Sequence, residues 1–195
     1  MGKVDETIEK IMQATVRVAF NKGFANTRTA DIAKEAGVSE GLIFKYFPTK
    51  SNLFALIIKS NFERFKAGVD KIITNTSLSA TAKIDALIEF HFEFFNNQLN
   101  IANLIFGHSD RKSIESVDPI LEYGLIPYSK LMIAILEEGI NSGEFKTLHP
   151  EVIATAIIGG MQINLFKLIL TNRQDEMEIT KNELKEYILS SIVKR

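Results

Sequence analysis

Apolar positions recur at helical spacing over almost the whole chain, and the strict alternation that marks half-buried strands is scarce. The pattern predicts an all-α protein of about nine helices. The first covers residues 5–22, with Ile8, Ile11, Met12, Thr15 and Ala19 as its core stripe, and stops at Gly23. Two short helices follow, then a long one over residues 50–73. Ser79 caps a helix over residues 80–98, a short one reaches Phe106, and residues 107–117 form a loop. Asp118 and Pro119 open a helix to about Asn141 that Pro127 is expected to kink. Residues 142–145 stop it, and His149 and Pro150 introduce a long helix to about Leu170. The last begins at Thr180, with Ile179, Leu184, Tyr187, Ile188 and Ile192 as its apolar side.

The two short helices carry the most specific local chemistry. Ala30, Ile32, Ala33 and Ala36 give the first a small apolar stripe that fits closely against a crossing helix. Gly37 supplies the positive φ that commonly ends a helix, Val38 plugs the angle, and Ser39 is placed to cap the next helix. In that second helix Leu42, Ile43 and Phe47 are available to the core, while Gly41, Phe44, Lys45 and Tyr46 spread over the remaining face. Pro48 stops it, and Thr49 caps the long helix that Lys50 begins. This is a helix-turn-helix corner, whose second helix would enter a major groove by its N-terminal end. Lys50 near a positive helix end suits a phosphate.

The stretch from GFANTRTADIAKEAGVS through GLIFKYFPTKSNLF resembles, in order, spacing and residue type, the N-terminal DNA-binding domain of TetR-family transcriptional repressors, over roughly the first 60 residues. The resemblance implies a DNA-binding domain at residues 1–49 and an effector-binding and dimerisation domain at 50–195. It implies a homodimer that reads a near-palindromic, double-stranded operator and is released by a small effector. The DNA-contacting candidates are Thr27, Arg28, Thr29, Ser39, Glu40, Gly41, Leu42, Phe44, Lys45, Tyr46 and Lys50. Two features depart from the family pattern. Phe44 stands where many relatives carry a tyrosine, which leaves Tyr46 or Lys45 to reach phosphate. Arg28 stands where Ser or Thr is common, so either Thr27 or Thr29 is expected to cap the second helix while Arg28 turns to phosphate. Glu40 either accepts from a cytosine amino group or faces solvent.

Charge adds modest support. The net charge of −1 divides into nine Lys or Arg against six Asp or Glu among residues 1–60, and fourteen against eighteen over the rest. The basic surplus thus lies with the reading head. Cysteine is absent, which excludes disulfides and thiol nucleophiles and suits a reducing cytoplasm. The N-terminus lacks the apolar run of a signal peptide. Residues 152–161, the most apolar stretch, are too short to cross a bilayer, so no membrane partner is expected.

Most of the 14 phenylalanines lie beyond residue 60. On the helix after Ser79, Leu87, Phe90, His91, Phe94 and Phe95 share a broad face, with Phe92 pointing away beside a solvated Glu89 and Glu93. That face is either ordinary core or, as the resemblance implies, the lining of an effector cavity suited to an apolar or aromatic ligand. The candidate lining is Phe62, Phe65, Leu87, Phe90, His91, Phe94, Phe95, Phe106, Tyr123, Tyr128, Met132, Gln162 and Phe166. The helix after Pro150 is apolar on more than one side and holds paired glycines, each costing about 1 kcal/mol relative to alanine. Close packing inside the monomer or a four-helix dimer bundle would explain them. The resemblance implies the bundle, through Ile153, Ile157, Gly160, Met161, Asn164, Leu168, Leu184, Ile188 and Ile192.

No catalytic or metal-binding constellation is legible. His91, His108 and His149 lie in separate segments without ligand spacing, and no GxSxG, P-loop or Rossmann glycine pattern occurs. No cofactor is implied and the chain does not read as an enzyme. The alternatives are a helical small-molecule binder without DNA binding and, behind it, a helical enzyme.

Overall fold

The structure, a computed structural model, describes residues 3–23, 26–98, 101 and 120–194. Those residues form eight α-helices and no named strand. They are α1 (Lys3–Lys22), α2 (Thr29–Ala36), α3 (Glu40–Tyr46), α4 (Lys50–Ile73), α5 (Ala80–Asn96), α6 (Ile126–Ser142), α7 (Pro150–Leu170) and α8 (Met177–Ile192). The short helix expected to reach Phe106, the loop after it, and the Asp118 cap lie outside the described residues. A π-helical segment, Ile120–Leu125, runs directly into α6. Pro127 therefore sits at the junction, in the first turn of α6, and the helical type changes just before it, where a mid-helix kink was expected. α8 begins a turn earlier than expected, behind a 3₁₀ turn over Gln174–Glu176.

Two apolar cores organise these helices. The head core joins Ile11, Ala14 and Ala19 of α1 to Ile32 and Ala33 of α2, Ile43 and Phe47 at α3, and Leu53, Phe54 and Ile57 of α4. The body core begins one residue later, at Ile58, and takes in Phe62, Phe65 and Val69 with the inward faces of α5 to α8. α4 is thus shared: its first two turns belong to the head and the rest to the body, so the boundary expected at 49/50 precedes a helix that both cores grip. Within the body, α5 is packed against α4, α6, α7 and α8. Being enclosed on several sides, it buries Phe92 as well, contrary to the outward position expected for it. Glu89 is not a solvated carboxylate either; it pairs with Lys181 and Lys185 of α8.

One carboxylate fastens the body across a large sequence gap. Glu144, just past α6, accepts from the Ala80 amide at 3.2 Å, the Thr81 amide at 3.0 Å and the Thr81 hydroxyl at 2.8 Å, at the α5 N-terminus. The Thr81 amide above all, with the Thr81 hydroxyl, Ala80 amide and Ser79 hydroxyl, holds its pKa down to about 2 against the cost of burial.

α7 is 21 residues long and apolar enough to cross a membrane by length and composition, which corrects the shorter run read from the sequence. One side of it is sealed by the body core through Ala154, Ile157, Ile158, Met161, Leu165, Leu168 and Ile169.

Candidate functional site

The corner is built by local chemistry. α2 ends on Gly37 at φ +67°, with the Val38 amide donating to the Ala33 carbonyl at 3.0 Å. Ser39 Oγ accepts from the Leu42 amide at 3.2 Å and Thr49 Oγ1 from the Asn52 amide at 3.1 Å, so α3 and α4 are capped as expected. α3 hangs on this frame by Ile43 and Phe47, both buried, with Leu42 and Tyr46 half-buried. Its outward face presents Glu40, Gly41, Phe44 and Lys45, all exposed, and Phe44 is 51% accessible. A Cβ built on Gly41 meets nothing within 4 Å. The space above the N-terminal turn of α3 is therefore open to a close-approaching group.

Two expectations about the caps of α2 are corrected, and Lys50 has a partner within the chain. Thr27 is buried and donates to the Gly23 carbonyl at 2.7 Å, so it does not cap α2. The N-cap position of α2 is Arg28 itself, without a side-chain cap bond, and Thr29 is the first helical residue. Arg28 is exposed beside Lys22, Asn26 and Asp31 in a shallow hollow, where Lys22 and Asp31 pair at 2.9 Å. Lys50 does not project freely from α4. Its Nζ donates to the Thr27 carbonyl at 3.2 Å, bracing the start of α4 against the loop before α2. This brace has no sequence signal, because its partner is a backbone oxygen 23 residues away.

In the body, most of the predicted lining residues converge, and they touch one another. Phe65 is the hub: its ring centroid lies 5.4 Å from Phe90, 5.7 Å from His91, 5.2 Å from Phe94, 5.5 Å from Phe95 and 5.0 Å from Tyr128. His91 and Tyr128 stack at 6.0 Å with planes 15° apart. Phe62, Leu87 and Met132 are buried in the same core, Tyr123 packs on it half-buried, and Gln162 and Phe166 are half-buried on α7. Phe106 lies outside the described residues. The cluster is thus closed by its own rings.

It also contains polar atoms with nothing to bind. Both imidazole nitrogens of His91, the Tyr128 hydroxyl and the Asn61 amide nitrogen are buried without a hydrogen-bond partner among the described residues. Burial pushes the His91 imidazole down to about 3, offset in part by the nearby Gln162 side chain, which stands outside good bonding geometry. Burial likewise raises the Tyr128 phenol. All three groups are neutral near pH 7. Asn61 lay outside the sequence-based candidates, since an asparagine in a long helix gives no periodic signal.

The residues assigned to a dimer face divide. Ile157, Met161, Leu168, Ile188 and Ile192 are buried inside the subunit, and a Cβ on Gly160 would sit 3.6 Å from Leu184, also within it. Ile153 and Asn164 are half-buried, Asn164 donating to the Gly160 carbonyl at 2.8 Å. The outward face is carried by other residues: Val152, Ile163 and Leu170 on α7, with Gly159 opening on empty space, and Ile179 and Tyr187 on α8. Ile163 is 66% and Tyr187 72% exposed, so Ile179 and Tyr187, read as part of the apolar side of the last helix, face outward.

An all-α chain with a capped helix-turn-helix corner at one end and a separate helical core behind it defines a helix-turn-helix transcriptional regulator. Residues 11–57 match the family model described as bacterial regulatory proteins, tetR family, so this stretch carries that family's N-terminal domain. The fatty acid metabolism regulator protein of Bacillus subtilis (strain 168) is 25% identical over 187 residues, covering 94% of both chains. The crystal structure of the transcriptional regulator FadR from Bacillus subtilis in complex with stearoyl-CoA superposes with a TM-score of 0.80 at 24% identity, over 94% of this chain and 98% of that one. The fatty acid degradation regulator FadR from Bacillus halodurans gives a TM-score of 0.84 at 20% identity, over 97% and 96%. The fold is shared along essentially the whole chain.

Proposed function

We propose that this regulator acts in the cytoplasm as a homodimeric repressor that reads a near-palindromic operator and is released by a long-chain acyl effector. The observation that carries the reading is the outward face of α3, where Gly41 opens on empty space beside exposed Phe44 and Lys45. Backbone approach at Gly41 and the capped N-terminus favour a phosphate, Lys45 would add a second phosphate contact, and Glu40 would meet a base edge. Two copies joined through the apolar outer face of α7 and α8 would set two such helices on one side of a duplex. Val152, Ile163 and Leu170 support that joint, because exposed aliphatic residues in a row are characteristic of subunit contacts.

The effector class follows from the aromatic body and from the similarity to a regulator whose structure contains stearoyl-CoA. Switching an operator complex almost completely needs a preference of about 5.5 kcal/mol between two conformations. At about 0.8 kcal/mol per buried methylene, some seven methylenes of differential burial supply it, well within one long acyl chain. α4 is the transmitting element, since Phe62 and Phe65 lie in the body core and Leu53 and Phe54 in the head core of the same helix. Fluorescence anisotropy with labelled DNA from upstream of the protein's own gene tests the whole reading. Salt-sensitive binding at nanomolar dimer that stearoyl-CoA reverses is expected; a dimer that binds this DNA and random DNA alike, with or without acyl-CoA, contradicts it.

A further inference from the structure

His91, Tyr128 and Asn61 come from three different helices, α5, α6 and α4, and each carries a buried nitrogen or oxygen without a partner. One such atom is a tolerable defect. Several in one aromatic cluster are a standing cost, because a buried polar group that bonds nothing loses its hydration without return. Phe65 joins them: its ring is 5.7 Å from His91 and 5.0 Å from Tyr128, and Asn61 lies one turn before it on the same face of α4. The two rings able to yield are Phe90 and Phe94, which are half-buried against Phe65 while Phe95 is wholly enclosed.

We propose that these three side chains are a polar reading site for a neutral oxygen on an otherwise apolar effector, a thioester, ester or ketone carbonyl, which displaces Phe90 or Phe94 and accepts the unused hydrogen bonds. The chemistry on offer is donation without charge. The Tyr128 hydroxyl, the Asn61 amide and one imidazole nitrogen supply donors, and the imidazole stays neutral because burial disfavours its cation. A carboxylate would have to ionise in the same enclosure. Among the described residues two cations come near, and neither enters: Arg64 reaches Asn61 Oδ1 only at 3.5 Å, is exposed and donates to Gln98 at 2.7 Å, and Lys59 lies over the outer, half-buried Tyr123 ring at 5.4 Å. A free fatty acid is therefore disfavoured relative to its thioester, a distinction that burial of the alkyl chain cannot make. This inference rests on the acyl-effector reading and sharpens it.

The test is calorimetric titration of the full chain at pH 7.5 with stearoyl-CoA, with octadecyl-CoA, the thioether that lacks the carbonyl oxygen, and with stearate. Wild type is expected to prefer stearoyl-CoA over each of the others by roughly tenfold, the worth of one or two net hydrogen bonds. Tyr128→Phe removes only an oxygen that bonds nothing in the free protein, so it should fold normally and lose the preference while binding octadecyl-CoA unchanged. His91→Phe is the second variant, expected to act in the same direction. Equal affinities for thioester and thioether in both wild type and Tyr128→Phe would overturn the reading site and leave the acyl effector standing. Stearate bound as tightly as stearoyl-CoA would overturn the exclusion of charge. Binding of neither CoA compound would overturn the effector class and this site with it.

Discussion

Replacing Glu144 with glutamine isolates a single electrostatic fastening in the effector body. The carboxylate accepts three hydrogen bonds at the N-terminus of α5, two from amides left without helical partners. Its pKa falls from 4.5 to about 2, which would correspond to about 3 kcal/mol if the group were fully shielded. It is only partly buried, and solvent screening reduces that to about 1–2 kcal/mol. Glutamine keeps one acceptor oxygen but loses the charge and its attraction to the helix terminus. For a chain of this size the melting temperature should drop by about 3–6 °C. The pH dependence fixes the cause. A carboxylate whose pKa is depressed on folding contributes fully above its unfolded value and loses that contribution as pH falls toward its folded value. The difference between wild type and Glu144→Gln should therefore be constant from pH 7.5 to 5, shrink below about 4.5, and vanish near pH 2. Thermal melts followed by circular dichroism across that range read it directly. Equal melting temperatures at pH 7.5, or a difference that persists undiminished at pH 3, would refute the electrostatic origin.

Three further substitutions separate folding from function. Gly41→Val places its side chain in open space and slightly favours the helix, so stability should change by less than about 0.5 kcal/mol while operator affinity falls at least tenfold in gel shifts; retained affinity would dismiss the close approach at α3. Lys50→Met removes the brace to the Thr27 carbonyl, and should lower stability by about 1 kcal/mol and weaken all duplexes alike without changing the salt slope; a slope reduced by about one unit would instead make Lys50 a phosphate contact. Ile163→Glu changes an exposed residue, so the helical spectrum should persist while sedimentation shows monomer at micromolar concentration; an intact dimer would move the subunit joint elsewhere.

The corner was legible because its determinants are local. Gly37 must take a positive φ, and Ser39 and Thr49 each cap an amide three residues on, so sequence spacing suffices. What escaped depends on the third dimension. Thr27 and Lys50 meet across 23 residues, and polarity alone suggested exposure for both. Phe92 was misplaced because α5 is covered on several sides, leaving periodicity no solvent face to mark. α7 poses the same difficulty: apolar residues occur on more than one side of it, so the pattern could not say which stripe faces inward. Ile157 and Met161 took the core, and Val152, Gly159 and Ile163 the outside. The unpartnered atoms of His91, Tyr128 and Asn61 are a property of assembled side chains and have no sequence signal.

In the proposed complex two α3 helices lie along one face of duplex DNA. Hydroxyl-radical footprinting of the wild-type protein on DNA upstream of its own gene tests it most directly. Two protected patches related by approximate dyad symmetry are expected, with centres about one helical turn, about 10 base pairs, apart or a whole multiple of that. Protection by a single unpaired patch, or two patches on opposite faces of the duplex, would contradict it.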